Sequence, residues 1–460
     1  MSDTSLLAPV APEAAAKARA HLRAAEAECA FIPDIPADTP KRPIASAAVI
    51  GAGTMGGGIA MCLANMGVPV VVIDQSQEAL DRGLGRVKKN YAVSVERGSL
   101  QAPEMERRLS FITGATGISA IANADIIIEA VFEDMQLKQD LFRQIDAHAR
   151  QGAILATNTS GLDIDEIAAV TTRPADVVGA HFFSPANVMR LLEVVRARES
   201  APDVVATLMD LGRRMGKASV LSRVSPGFIG NALLRNYSRE ALFVVEEGAL
   251  PLDVDAALTR FGYRMGIFAV HDMAGNDVGL QTKRKLVLTR PKDRRYSDLL
   301  ITICDMGRLG QKTGKGWHRY ENGGRTPIRD TEWEAFLIGE SKRLGIERRM
   351  VSDEEIIKRC IYSMVNEGAR LLENGVALRA SDIDVVYGTG NGFPPDRGGP
   401  MYFADSIGLD KVYADVARFH EAQGVWWEPA PLLARLAREG KTFADYDAER
   451  RKQIHQGGHA

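Results

Sequence analysis

The sequence predicts an α/β fold, a doubly wound parallel sheet followed by two repeated all-α domains. Three observations carry that prediction. Residues 47–50, 68–73, 124–128 and 153–156 are short apolar runs without alternation, the pattern of strands buried on both faces. Helical segments separate them, notably 57–66 and 136–149, as in successive strand–helix units. Beyond Ser225-Pro226-Gly227-Phe228 the strand signals stop, and 229–248, 252–261 and 353–375 read as helices.

From the N-terminus, residues 12–29 are Ala-rich with alternating charge and predict one helix, with Pro12 in its first turn. Ile32-Pro33-Asp34-Ile35-Pro36 through Pro43 cannot continue that helix and predicts a linker. A helix and linker are therefore expected over 1–43 and the sheet domain over 44–223. Helical domains are expected over 224–322 and 351–460, with a connector over 323–350. An internal echo supports the duplication. Glu240 stands eight residues before Gly248, and Glu367 eight before Gly375. Each is followed by an Asp pair (Asp253/Asp255, Asp382/Asp384), a Gly-rich turn and an apolar segment opening at Met265 or Met401. The length of 460 residues suits roughly three domains of about 150.

The first strand runs into Gly51-Ala52-Gly53-Thr54-Met55-Gly56 and then a helix, a GxGxxG turn in its proper context. Gly51 permits the tight turn, Gly53 lets backbone approach a pyrophosphate, and Gly56 lets helix and strand pack closely. Thr54 and Met55 open the helix whose free N–H groups face the phosphates. A second strand ends in Asp74, 21 residues beyond Gly53, where a carboxylate accepts bonds from the adenosine ribose hydroxyls. Gln75 and Ser76 are uncharged, so NAD is favoured over NADP. These features predict a Rossmann-type domain.

Strand-like Val177-Val178-Gly179-Ala180 leads into His181-Phe182-Phe183-Ser184-Pro185, and a second strand follows at Leu191-Leu192-Glu193-Val194-Val195. A hairpin-like return would join His181 to Glu193. Imidazole exchanges protons near neutral pH, and a carboxylate on its second nitrogen fixes the tautomer. Removing hydride from an alcohol needs such a base for the hydroxyl proton. Taken singly, His181 reads as a satisfied core histidine and Glu193 as the exposed face of a strand.

Asn158-Thr159-Ser160, His181-Phe182-Phe183-Ser184-Pro185 with Glu193, and Pro226-Gly227-Phe228-Ile229-Gly230-Asn231 occur in that order. Together they resemble the 3-hydroxyacyl-CoA dehydrogenase family. Ser184, Gly310-Gln311-Lys312-Thr313-Gly314-Lys315-Gly316-Trp317, Asp384-Val385-Val386-Tyr387 and Gly398-Gly399-Pro400-Met401 look closer still to the dehydrogenase half of the peroxisomal-type bifunctional hydratase/dehydrogenase enzymes. The resemblance spans roughly residues 44–445. It implies a Rossmann-type sheet domain and two of the family's helical C-terminal domains. NAD-dependent oxidation of an L-3-hydroxyacyl-CoA thioester follows, with His181 as general base and Glu193 orienting it. Ser160 and Asn231 would bond the substrate's C3 oxygen and the reacting groups. Glu133 and Lys138 would touch the nicotinamide half of NAD, and Lys312 would reach the cofactor. Without the resemblance, Glu133, Lys138 and Lys312 read as solvated surface residues. Ser184 stands where single-function members carry Asn, which removes an amide contact at a substrate-binding position.

About 40 residues precede the first strand, against the ~200 or more a hydratase domain would need, so hydration is expected from a separate enoyl-CoA hydratase, with a thiolase as a further partner. The resemblance implies that single-function members dimerise through one helical domain. A second copy in the same chain would cover that face, and a monomer is expected. Two other classes stay open. One is an NAD-linked dehydrogenase of a free hydroxy acid, which would need a cationic carboxylate clamp where Phe182 and Phe183 stand. The other is an NAD-binding scaffold without turnover that docks on a hydratase.

Composition bounds the partners. Apolar content is 45%, and 57 basic against 59 acidic residues leave a net charge of −2, with no field to recruit nucleic acid or an anionic membrane. The stretch Lys283-Arg284-Lys285 with Arg290, Lys292, Arg294 and Arg295 reads as solvated helix and loop surface, with a helper for substrate phosphates as the alternative. No apolar run approaches the ~20 residues of a bilayer span. Cys29, Cys62, Cys304 and Cys360 are far apart, so neither a disulfide nor a metal site is expected. Met-Ser-Asp-Thr opens no signal peptide, and Gly457-Gly458-His459-Ala460 is not a peroxisomal address, so a cytoplasmic, bacterial setting is expected.

Overall fold

The structure, a computed structural model, describes residues 6–457; the ends of the predicted N- and C-terminal segments, including Gly458-His459-Ala460, lie outside the described residues. Eight strands follow the apolar runs: β1 (Ala47–Ile50), β2 (Val70–Ile73), β3 (Ile112–Ala115), β4 (Ile126–Glu129), β5 (Ile154–Thr157), β6 (Val177–Phe182), β7 (Leu191–Arg196) and β8 (Ala218–Arg223). Their order is β3-β2-β1-β4-β5-β6-β7-β8. Neighbours are parallel except β6 and β7, which run antiparallel. Chain direction through the sheet reverses between β1 and β4, the switch point where a crevice opens beyond the strand tips.

After α1 (Pro12–Glu28), helices flank the sheet: α2 (Thr54–Asn65), α3 (Gln77–Glu96), α4 (Ala102–Leu109), α5 (Met135–His148), α6 (Ile164–Ala168) and α7 (Pro202–Arg214). The two-faced burial follows from strand alternation. Ile126 and Ile128 enter one core with Val49, Leu63 and Val72, while Ile127 enters the other with Ile50, Phe142 and Leu155. Such strands carry no polar face, which explains their unbroken apolar sequence.

The remaining helices are α8 (Gly230–Glu247), α9 (Pro251–Phe261), α10 (Ile267–Ala274), α11 (Leu280–Thr289), α12 (Leu299–Asp305), α13 (Thr331–Arg343), α14 (Asp353–Glu373), α15 (Ala380–Gly390), α16 (Pro400–Ile407), α17 (Leu409–Gln423), α18 (Pro431–Glu439) and α19 (Phe443–Gly457). The repeat is visible in them. Helices α8, α9 and α10 have 18, 11 and 8 residues, and α14, α15 and α16 have 21, 11 and 8. Gly275 ends α10 at φ 99°, ψ 120°, and Gly408 ends α16 at φ 99°, ψ 122°.

The chain forms two units. The sheet unit holds Arg23–Asn231 and also Asn374–Asn391. Helix α15 is thus removed from its own repeat and packs on β7 and β8, where a Cβ on Gly390 would come within 2.4 Å of Leu191. The helical unit holds Ala232–Glu373 and Gly392–Gln453 together with residues 6–22. Inside it the two copies share a core. Arg359 is fully buried and donates to Glu240 Oε2 at 2.9 Å and to Glu247, while Phe261 meets Phe403 edge-on at 5.1 Å. The basic stretch lies on helix and loop surface, and its arginines are paired there. Arg290 is bidentate on Asp298, Arg295 meets Glu246 and Glu247, and half-buried Lys283 donates to the Val278 carbonyl.

Candidate active site

Beyond the tips of β1, β2 and β4 lies a cleft of about 910 Å³ bordered by Gly51, Gly53, Thr54, Met55 and Asp74. Each motif glycine has a separate steric reason. Gly51 has φ +104°, and a Cβ there would lie 2.6 Å from the Ala130 carbonyl. Gly56 is buried, and its Cβ would strike the Gly51 carbonyl at 1.8 Å. Around Gly53 there is open space, so backbone can be approached. Helix α2 starts there with no side-chain cap, leaving its first N–H groups for an anion. Asp74 accepts from Ala52 N–H and Gln75 N–H, both at 2.8 Å, which sets its carboxylate on the cleft wall. An open glycine, an uncapped helix start and a carboxylate at the next strand tip fit an NAD nucleotide.

Three charged groups lie along β4 and α5. Glu129, at the tip of β4, is fully buried and accepts from Lys138 Nζ (2.6 Å), Thr157 Oγ1 (2.6 Å) and Val131 N–H (2.8 Å). Lys138 is 1% exposed, so it is not a solvated surface lysine; its ammonium also stands 3.6 Å from Glu133 Oε2. Glu133 Oε1 gathers Thr159 Oγ1 (2.7 Å), Ser160 N–H (2.8 Å) and Ser160 Oγ (2.9 Å). Asn231 Nδ2 then donates to the Ser160 carbonyl at 3.0 Å.

The antiparallel register sets His181 directly opposite Glu193 on one face of β6 and β7. His181 Nδ1 lies 2.7 Å from Glu193 Oε2. The other oxygen, Oε1, accepts from the Ile229 and Gly230 N–H groups, each at 3.0 Å, at the start of α8. Phe228, at φ 51°, takes the left-handed conformation uncommon for a bulky residue and turns the chain so that those two N–H groups converge. Glu193 is completely buried, so the exposed-strand reading fails. The imidazole packs on Phe183 at 4.5 Å and Phe228 at 5.7 Å, which leaves Nε2 as its unengaged nitrogen. In sheet register Ile50, Glu129, Thr157 and Gly179 are level, and His181 stands two residues further along the same edge as the cleft.

The structure therefore joins Glu133, Lys138, Ser160 and Asn231 in one network and His181 with Glu193 in another. Asn158 links them, its Oδ1 accepting the Phe182 N–H at 2.8 Å. Sequence reasoning assigned no role to Asn158 or Glu129. Glu129's signal was an acid ending an otherwise apolar strand. Ser184 is exposed, and a cis peptide joins it to Pro185. Lys312 belongs to the helical unit, where its ammonium is held by both oxygens of Asp277 at 2.6 and 2.7 Å. Among the described residues no cluster of His, Cys, Asp or Glu is placed to hold a metal.

The model of the 3-hydroxyacyl-CoA dehydrogenase NAD-binding domain matches residues 46–224, and that of the family's C-terminal domain matches twice, at 227–320 and 356–445. The zebrafish (Danio rerio) peroxisomal bifunctional enzyme is 41% identical over 428 residues, covering 90% of this chain and 59% of that enzyme. This chain thus spans less than two thirds of such curated relatives. Among solved structures, 3-hydroxybutyryl-CoA dehydrogenase from Escherichia coli superposes with TM-score 0.74 at 27% identity, covering 86% of this chain and 99% of that one. The dehydrogenase part of Caenorhabditis elegans multifunctional enzyme 1 superposes with TM-score 0.64 at 29% identity, covering 90% and 96%.

Proposed function

The chain belongs to the 3-hydroxyacyl-CoA dehydrogenase family, and from that premise we propose that it oxidises an L-3-hydroxyacyl-CoA to the 3-ketoacyl-CoA with NAD, reversibly, as in fatty acid β-oxidation. The observation that carries the reading is the 2.7 Å contact between His181 and a fully buried Glu193 on the edge where the cleft opens. The chemistry a bound NAD would supply is a hydride acceptor for C3. His181 Nε2 takes the hydroxyl proton, and Glu193 holds the ring through Nδ1 and balances the imidazolium. The Ser160 hydroxyl, which donates to Glu133 here, would turn to donate to the substrate's C3 oxygen, and Asn231 anchors the Ser160 loop from the other side. Gly51, Gly53, Thr54, Met55 and Gly56 seat the nucleotide phosphates, and Asp74 takes the adenosine ribose.

A comparison of acetoacetyl-CoA with acetoacetate as oxidants of NADH tests the substrate class. Turnover confined to the thioester supports the reading. Equal use of acetoacetate favours a free-acid dehydrogenase, and tight NAD binding without any turnover favours a scaffold. The segment boundaries at 44–223, 224–322 and 351–460, a monomeric state, a cytoplasmic location and a separate hydratase or thiolase partner belong to the same proposal. The shared core of the helical unit supports the monomer. No described helix is long and apolar enough to cross a membrane. The curated relatives carry peroxisomal names, so localising a tagged chain in its native cell tests the location.

A further inference from the structure

The ion trio at β4 and α5 contains one more carboxylate than a buried lysine requires. An ammonium out of water needs a counter-ion and satisfied donors. Glu133 alone could supply the charge. Instead Glu129 takes the short contact with Lys138, 2.6 Å against 3.6 Å for Glu133, and is the fully buried partner. Thr157 Oγ1 and Val131 N–H complete its coordination, so Glu129 is held where it is independently of Lys138. Two carboxylates around one ammonium leave the trio with a net charge of −1. Glu133 turns Oε2 toward Lys138 and gives Oε1 to Thr159 and Ser160.

The trio's position follows from the cleft. Asp74 marks the adenosine end and the start of α2 the phosphates, so the reactive ring belongs beyond them, toward β4 and β5. Val131 borders the cleft there, and Glu129 holds its N–H. We propose that Glu129 is a positioning residue whose charge keeps this trio net negative at the reacting end of the cleft, favouring the oxidised, cationic nicotinamide over the reduced, neutral one. The inference rests on the NAD reading of the cleft. A fixed negative charge stabilises a nearby cation and gives a neutral ring no comparable benefit.

Dissociation constants of NAD and NADH, measured by titration on the full chain, test this without any turnover. Glu129→Gln makes the trio neutral and should weaken NAD relative to NADH by at least about fivefold, the order of effect of one nearby unit charge. Thr157→Val removes a hydrogen bond to Glu129 but no charge, and the NAD/NADH ratio should stay at the wild-type value. Glu129→Gln with Lys138→Met restores −1 and should restore the ratio, whatever happens to absolute affinity. Equal weakening of both nucleotides by Glu129→Gln would overturn the proposal and leave a merely structural glutamate. Should that variant fail to fold, the double variant decides, because it leaves no unpaired buried charge; a ratio shifted as far as about fivefold there overturns the proposal. A wild-type chain that binds neither nucleotide would overturn the cleft reading itself, a distinguishable result.

Discussion

A histidine flanked by phenylalanines becomes a base only when its second nitrogen is engaged. His181 meets that condition through Glu193, and Glu193 is in turn fixed by two N–H groups that would otherwise be orphaned at the start of α8. Glu193→Gln keeps the shape but loses the charge that balances the imidazolium. Its kcat should fall about 10- to 100-fold with NAD affinity unchanged, and steady-state kinetics alongside nucleotide titration would show the split. The pairing was readable from sequence because two strands joined by a short return must bring some residues opposite each other. The depth of Glu193 was not, since it depends on α8 arriving from 36 residues away. Glu129 was equally hidden, because its partner Lys138 returns to it only after the chain has turned into α5.

At the scale of elements, strands and helices that pack on both sides announced themselves by unbroken apolar runs, and β1, β2, β4 and β5 fall within one or two residues of expectation. Strand β3 escaped notice because Ile112-Thr113-Gly114-Ala115 is a half-exposed edge with no apolar run. The glycine turn was legible in full, and its sterics make a prediction. Gly56→Ala drives a Cβ into the Gly51 carbonyl, so α2 must move from β1. We expect a stability loss of at least about 2 kcal/mol in denaturant unfolding and about tenfold weaker NAD binding. Helix α10 supplies a pH prediction. Burial holds the His271 pKa down at about 4, with Nδ1 sealed from solvent and unpaired. The folded state resists a proton that the unfolded chain accepts at its usual value near 6.5. Its contribution is therefore present above about pH 6.5 and is lost as pH falls toward 4, on the order of 3 kcal/mol. Thermal melts across that window should show the decline, and His271→Gln should flatten it.

For the whole molecule, the duplication was legible in the echo of Glu240 and Glu367. The exchange of α15 to the sheet unit was not, because a repeat in sequence carries no information about which core each helix joins. Within the helical unit the two copies bury Arg359 and the Phe261–Phe403 contact in one chain. Light scattering at micromolar concentration should accordingly return the 50.0 kDa of a single chain rather than twice that mass. On the proposed function, this one chain carries both the NAD cleft and the base for 3-hydroxyacyl-CoA oxidation. The most direct test is NADH formation from an L-3-hydroxyacyl-CoA by the intact chain and by His181→Ala, side by side, with NAD affinity measured on both. Brisk wild-type turnover, at least about 100-fold slower in the variant at unchanged NAD affinity, is the predicted result. Comparable rates in the two proteins, or no reduction of NAD by either, would contradict it.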